Sequence, residues 1–233
     1  MKRSASIITV LAVLLFSASL QAQTAEELLQ KVKEKFDKVN DYEAKGKMKM
    51  NVTFIKAPVA TVKIFYKKPD KLKINNISGI SLIPKGSINV SIANIMTNAA
   101  DCEIIDAGKD DKTGLRIIKL LPNDENADIA LSTLYIDEKQ FLVKKTKTTT
   151  KENGTYELEM TYGKYADYGL ADKVIFSFNT KDYKLPKGVT FDYDDGATKK
   201  EEPKDKLKNK KGVVEISYSA YTINKGVPDA VFE

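Results

Sequence analysis

Side chains able to do chemistry are few in this chain, and none has the neighbour it would need. Histidine does not occur, which removes the commonest general base and the commonest metal ligand together. A Ser-His-Asp arrangement is therefore impossible, and no Ser stands in a Gly-x-Ser-x-Gly turn. The single cysteine, Cys102, is followed by Glu103; a neighbouring carboxylate raises a thiol pKa and leaves the sulfur inert. Asp192-Tyr193-Asp194-Asp195-Gly196 has the acid density of a calcium loop, but Gly196 falls where a ligand is required, so the segment reads as a turn at a strand end. Asp110-Asp111, ahead of Lys112-Thr113-Gly114, reads as a hairpin tip. No glycine-rich phosphate loop is present. The expectation is a protein without catalytic residues, metal or cofactor.

The informative pattern is apolar. Tyr42, Ala44, Gly46, Met48, Met50, Val52 and Phe54 alternate with Glu43, Lys45, Lys47, Lys49, Asn51 and Thr53. A side-chain period of two marks a strand with one wet and one apolar face. The run exceeds the usual strand of about 5–6 residues, which suggests a curved antiparallel sheet wrapped around something apolar. The same alternation recurs in Ala60, Val62, Ile64 and Tyr66, in Leu72 and Ile74, in Tyr156 to Tyr162, in Val174, Phe176 and Phe178, and in Val214, Ile216 and Tyr218.

The elements follow from local chemistry. Thr24-Ala25-Glu26-Glu27 is a capping box, and Leu28, Leu29, Val32, Phe36 and Val39 then recur at helical spacing, which predicts an amphipathic helix over 25–39. Lys67-Lys68-Pro69-Asp70-Lys71 breaks a strand pair. Further strands are expected at 102–107, 114–121, 131–137, 140–150, 154–163, 172–179, 188–194 and 212–223. Asn153-Gly154 predicts a hairpin with a two-residue type I′ turn. Residues 77–86 read as a loop or bent strand. Over 87–99, Ile88, Val90 and Ile92 fit a strand, whereas Ile88, Ile92, Ile95 and Met96 behind Ser87 fit the short helix we favour.

Composition bounds the setting. Lys2 and Arg3, the apolar run Ile7–Phe16 and the small-residue end Leu20-Gln21-Ala22 read as a secretory signal over 1–22, cleaved after Ala22. The apolar core is too short to span a membrane, which takes about 20 residues. Residues 23–233 suffice for a single domain with a real core, and no repeat or internal boundary is visible. A lone cysteine permits no intramolecular disulfide, which fits a bacterial periplasm. The formal net charge of +6 includes Lys2 and Arg3 and is mixed in sign, so it does not point to nucleic acid. The charge-dense stretch 197–211 reads as a solvated loop between late strands.

An antiparallel sheet ordinarily packs its apolar face against its own helices. Two details point instead to a hollow: Met48 and Met50 share a strand face, and Met suits surfaces that adapt to variable partners; and about ten strands face very little helix.

In this order the segments resemble the periplasmic lipoprotein-sorting carriers, the LolA-like family within a LolA/LolB superfamily. The likeness rests on Leu28-Leu29-Gln30-Lys31-Val32 running into Tyr42-Glu43-Ala44, on Val62 through Ile74 with its basic-Pro turn, on Leu134-Tyr135-Ile136-Asp137, on Phe141 to Lys145 with the Asn153-Gly154 hairpin, and on Leu185-Pro186-Lys187-Gly188-Val189. The first strand carries lysines where the best-known carriers place a lid-latching arginine; Arg116 lies elsewhere. The resemblance implies an α+β fold: an incompletely closed, strongly curved antiparallel β-barrel with an N-terminal helix and a short lid helix. It implies a cavity sheltering lipoprotein acyl chains or other lipid between an inner-membrane donor complex and an outer-membrane acceptor, in a monomer. On that reading Met48, Met50, Phe54, Val62, Ile64, Tyr66, Leu72 and Ile74 line the cavity, and Ile88, Ile92, Ile95 and Met96 form the lid. The competing class is a lipid- or protein-sensing domain on the same scaffold.

Overall fold

A computed structural model describes residues 23–52, 55–56, 59–69, 71–78, 95, 99–152, 154–179 and 211–232. Helix α1 spans Ala25–Asp37. Its capping box forms as the sequence requires: the Thr24 hydroxyl accepts from the Glu27 amide at 3.1 Å, and the Glu27 carboxylate accepts from the Thr24 amide at 3.2 Å. The helix is two residues shorter than expected. Val39 lies beyond its cap and joins Tyr66 and Leu170 in a separate small core.

Among the described residues eleven strands form one antiparallel sheet: β1 (Asp41–Val52), β2 (Ile55–Lys56), β3 (Ala60–Lys67), β4 (Lys71–Ser78), β5 (Cys102–Lys109), β6 (Arg116–Pro122), β7 (Ile129–Asp137), β8 (Leu142–Thr150), β9 (Gly154–Thr161), β10 (Lys173–Asn179) and β11 (Lys211–Ile223). The order is β4-β3-β1-β11-β10-β9-β8-β7-β6-β5, with β2 paired to β1 alone. Among the described residues no ladder joins the two outer strands, so the strongly curved sheet is an open barrel. Short 3-10 turns lie at Ala99–Asp101, Ala166–Tyr168 and Asp229–Val231.

The expected hairpin between β8 and β9 forms, but not through a two-residue turn. Thr150 pairs with Gly154, so a longer connection lies between them. Gly154 supplies its positive φ of 79° at the end of that connection rather than inside a type I′ pair. Asp110 organises the β5–β6 tip as anticipated, accepting from the Thr113 amide and hydroxyl at 2.9 and 2.6 Å.

Residues 1–22, the expected strand 188–194, the Asp192–Gly196 segment, residues 79–86 and the charged stretch 197–210 lie outside the described residues. β4 itself runs to Ser78. Of the expected 87–99 helix, Ile95 is helical and Ala99 opens a 3-10 turn.

The apolar interior divides. Ala25, Leu28, Leu29 and Val32 of α1 pack with Ile95, Ala99 and the inward residues of β6 to β9, among them Ile118, Leu120, Leu134, Ile136, Val143 and Leu158. Several of these are fully sealed from solvent. A second cluster, built on β1, β3, β9 and β10 with half-buried residues of β11 packed against it, holds Ala44, Met48, Met50, Ala60, Val62, Ile64, Tyr156 and Phe178. No residue of α1 belongs to it.

Candidate functional site

The second cluster is a wall made by cross-strand register. Leu72, Tyr66, Tyr42 and Ile223 lie in one row; Ile74, Ile64, Ala44 and Tyr221 in the next; Ala60, Met48, Ile216, Val174 and Met160 further along; and Met50, Val214, Phe176 and Leu158 beyond that. Side chains directly opposite on one face sit about 4.5–5.5 Å apart, so each row is a continuous apolar stripe.

Sequence reasoning named residues that the fold brings together. Met48, Met50, Val62 and Ile64 are buried members of this wall, and Leu72 and Ile74 pack against it half-buried. Tyr66 is buried in the adjoining core with Val39 and Leu170. Phe54, Ile88, Ile92 and Met96 lie outside the described residues. Ile95 is buried in the other cluster, beneath α1.

Two features were not legible from periodicity. The first is a bulge in β11. Lys45 pairs with Ala220 but Gly46 with Tyr218, which leaves Ser219 as the extra residue. Its hydroxyl donates to the Lys45 carbonyl at 3.0 Å. The extra residue resets the alternation, so Tyr218 and Tyr221, three apart, share one face and stack at 5.0 Å between ring centres. Gly46 permits the close approach: a Cβ there would lie 2.7 Å from the Ser217 carbonyl oxygen. The second is a polar patch within the helix-side core. Ser132 and Thr148 hydroxyls meet at 3.2 Å, and the Thr146 hydroxyl is buried without a hydrogen-bond partner. The Lys-Thr run of β8 offers no apolar alternation from which its inward face could be read.

The end of the wall near Asp41 is shut. Tyr42 stacks on Tyr66 and meets Tyr221 edge-on, both at 5.3 Å; Tyr165 closes on Tyr221 at 4.9 Å. The Tyr221 hydroxyl donates to the Ala171 carbonyl at 2.7 Å. The Asn224 side chain ties the chain beside it, accepting from the Asn40 amide and donating to the Lys38 carbonyl, each at 2.7 Å. Asp229 receives both Lys67 and Lys71 at 2.8 Å.

Away from that end, the wall keeps accessible surface on its inward side. Ile74, Val174, Phe176, Val214 and Ile216 are only half-buried, although all but Ile74 sit on strands flanked by neighbours on both sides. Yet the phenol of Tyr218 is pushed up to about 12 by burial. That of Tyr42 stands well above its ordinary range through burial and the neighbouring Tyr218 and Tyr66. Neither hydroxyl has a hydrogen bond among the described residues.

Other ionisable groups are committed to the fold. Arg116 is held by Asp106, with Glu138 at 3.7 Å. Burial, with Asp101 rather than Glu103 beside it, pushes the Cys102 thiol up. Among the described residues no group of three or more acidic or cysteine side chains gathers, and no helix is long and apolar enough to cross a membrane.

No family model and no curated protein matches the chain. Solved structures do. A LolA superfamily protein from Nitrosomonas europaea superposes with a TM-score of 0.55 at 11% identity, over 91% of this chain and 98% of that chain. A DUF1329 family protein from Desulfovibrio piger superposes with a TM-score of 0.52 at 12% identity, over 90% and 95%. The chain thus has a LolA-like fold, an open antiparallel barrel with an N-terminal helix.

Proposed function

We propose that the protein is a periplasmic carrier that shelters the acyl chains of lipoproteins, or another lipid, against the wall formed by β4, β3, β1, β11 and β10. The observation that carries this reading is the wall itself: inward apolar side chains of β4, β10 and β11 retain accessible surface, and no residue of α1 packs among the buried members of their cluster. Accessible apolar surface on a concave face is what an apolar ligand covers most favourably. Each CH₂ taken from water contributes roughly 0.8 kcal/mol, so one acyl chain gains on the order of 10 kcal/mol. A carrier needs no nucleophile or general base, in keeping with a chain that has no histidine. The cargo passes from an inner-membrane donor to an outer-membrane acceptor, and the protein works as a monomer of one domain, after removal of residues 1–22.

Met48 and Met50 give the wall adaptability, so that binding tolerates chains of different length without holding any too tightly. The test is binding of a fluorescent fatty acid to delipidated protein. Ile216→Trp fills accessible space on the wall and is expected to weaken binding at least about tenfold, since each lost CH₂ contact removes part of the transfer energy. Circular dichroism should remain unchanged. No binding by the unaltered protein, or equal binding by the variant, would remove the carrier reading. A stable protein partner in native mass spectra, in place of a lipid, would assign the scaffold to sensing.

A further inference from the structure

The convex face of the sheet is electrically uneven. On β8, β9 and β10 its charges are matched: Lys145 meets Glu157 and Glu159 at 3.1 and 3.5 Å, and Lys173 meets Glu215 at 3.0 Å. On β1 they are not. Lys45, Lys47 and Lys49 point outward in succession and are exposed. Lys45 stands opposite Lys63 and Ala220, and Lys47 opposite Thr61 and Ser217. Lys49 stands opposite Glu215, which is already engaged by Lys173. Lys63 is held by Glu43 at 2.8 Å. Like charges directly opposite one another destabilise a sheet, as Lys45 and Lys63 stand, and none of Lys45, Lys47 and Lys49 forms an ion pair among the described residues.

An apolar pair adjoins the same row. Val59 is 57% exposed and Ile77 52% exposed, the two highest values among large hydrophobic residues described. Ile77 is the unpaired residue of a bulge: Thr61 pairs with Ser78 and Val62 with Asn76, leaving Ile77 between them. Both residues lie toward the strand ends that carry Lys47, Lys49, Met48 and Met50, away from the end closed by Asn224 and Asp229.

We infer that this basic row with its exposed Val59 and Ile77 is a docking surface for an anionic phospholipid membrane. Lysines two apart on a strand lie about 6.8 Å from one another, and flexible ammonium groups suit a diffuse sheet of headgroup charge better than the planar fork that an arginine would offer one buried carboxylate. Basic residues supply the long-range attraction and exposed aliphatics the shallow insertion. The surface stands apart from the concave wall, so the two can be tested separately.

The experiment is flotation of the full-length exported protein with vesicles of phosphatidylcholine plus phosphatidylglycerol, and with phosphatidylcholine alone. Binding is expected only to the anionic vesicles and should fall with salt. Lys45→Gln/Lys47→Gln/Lys49→Gln should weaken it at least about tenfold, while fatty-acid binding to the wall stays unchanged. Val59→Ser/Ile77→Ser should remove the part that survives high salt; its persistence would overturn the apolar half of the assignment. Equal binding to both vesicle types, or an unaltered triple variant, overturns the inference. So does failure to float combined with salt-sensitive binding to polyglutamate, which would assign the lysines to an acidic protein. Vesicle binding without any fatty-acid binding leaves the docking surface standing and removes the carrier reading instead.

Discussion

Thr146 shows how a single atom can decide local energetics. Its hydroxyl lies in a row with Leu134 and Leu158, fully buried, without a partner. An unsatisfied buried hydroxyl costs about 1–3 kcal/mol. Thr146→Val keeps the shape and removes the polar atom, so we expect stabilisation by about 1 kcal/mol, read from the urea midpoint; a loss of stability would show that the hydroxyl is bonded. Asp229 makes the opposite point at the surface. Hydrogen bonds from Lys67 and Lys71 hold its carboxyl at about 2. Because the folded pKa lies below the ordinary value of about 3.9, the contact is complete above that pH and is lost as pH falls towards 2. The protection of amides over residues 225–232, taken against the intrinsic exchange rate at each pH, should fall across that interval. Asp229→Asn should show the lowered protection already at neutral pH.

At the scale of elements, the contact of β1 with β11 is the decisive one. The bulge at Ser219 places Tyr218 and Tyr221 together, and it depends on the absence of a side chain at Gly46. Gly46→Val forces a Cβ toward the Ser217 carbonyl and should destabilise the protein by about 2 kcal/mol or more. The tyrosine end should loosen with it, visible as broadened aromatic signals; unchanged stability would mean the strands can separate without loss. Strand positions here were readable wherever one face is apolar, since the period of two survives any tertiary context. The bulges at Ser219 and Ile77 were not, because an inserted residue has no compositional mark in a run of Ser, Ala and Tyr or of Asn and Ile. The β8–β9 turn was misjudged for a related reason: Gly154 announces a positive φ but not the number of residues ahead of it.

At the scale of the whole molecule, the single described long helix is committed to one half of the sheet. Its apolar side packs with β6 to β9, and the wall on β4, β3, β1, β11 and β10 belongs to a different cluster. This division leaves the buried members of the second cluster without a residue of α1 among them. If an acyl ligand occupies that wall in the folded state alone, ligand at a hundredfold its Kd should add about 2.7 kcal/mol to stability. A thermal midpoint unmoved by saturating fatty acid would argue against the site. Ile95, expected over the cavity, belongs to the cluster that holds the apolar residues of α1.

The sequence alone determined what depends on neighbours along the chain: the capped helix, the strands with one apolar face, the absence of histidine, and the inward placing of Met48, Met50, Val62 and Ile64. Those properties follow from period, capping and composition, which no distant contact can alter. Tertiary structure decided which half of the sheet the helix would seal, where the alternation would be reset, and which lysines would find acids opposite them. These outcomes depend on register between strands as far apart in the chain as β1 and β11, and register is a property of pairs that no single strand contains.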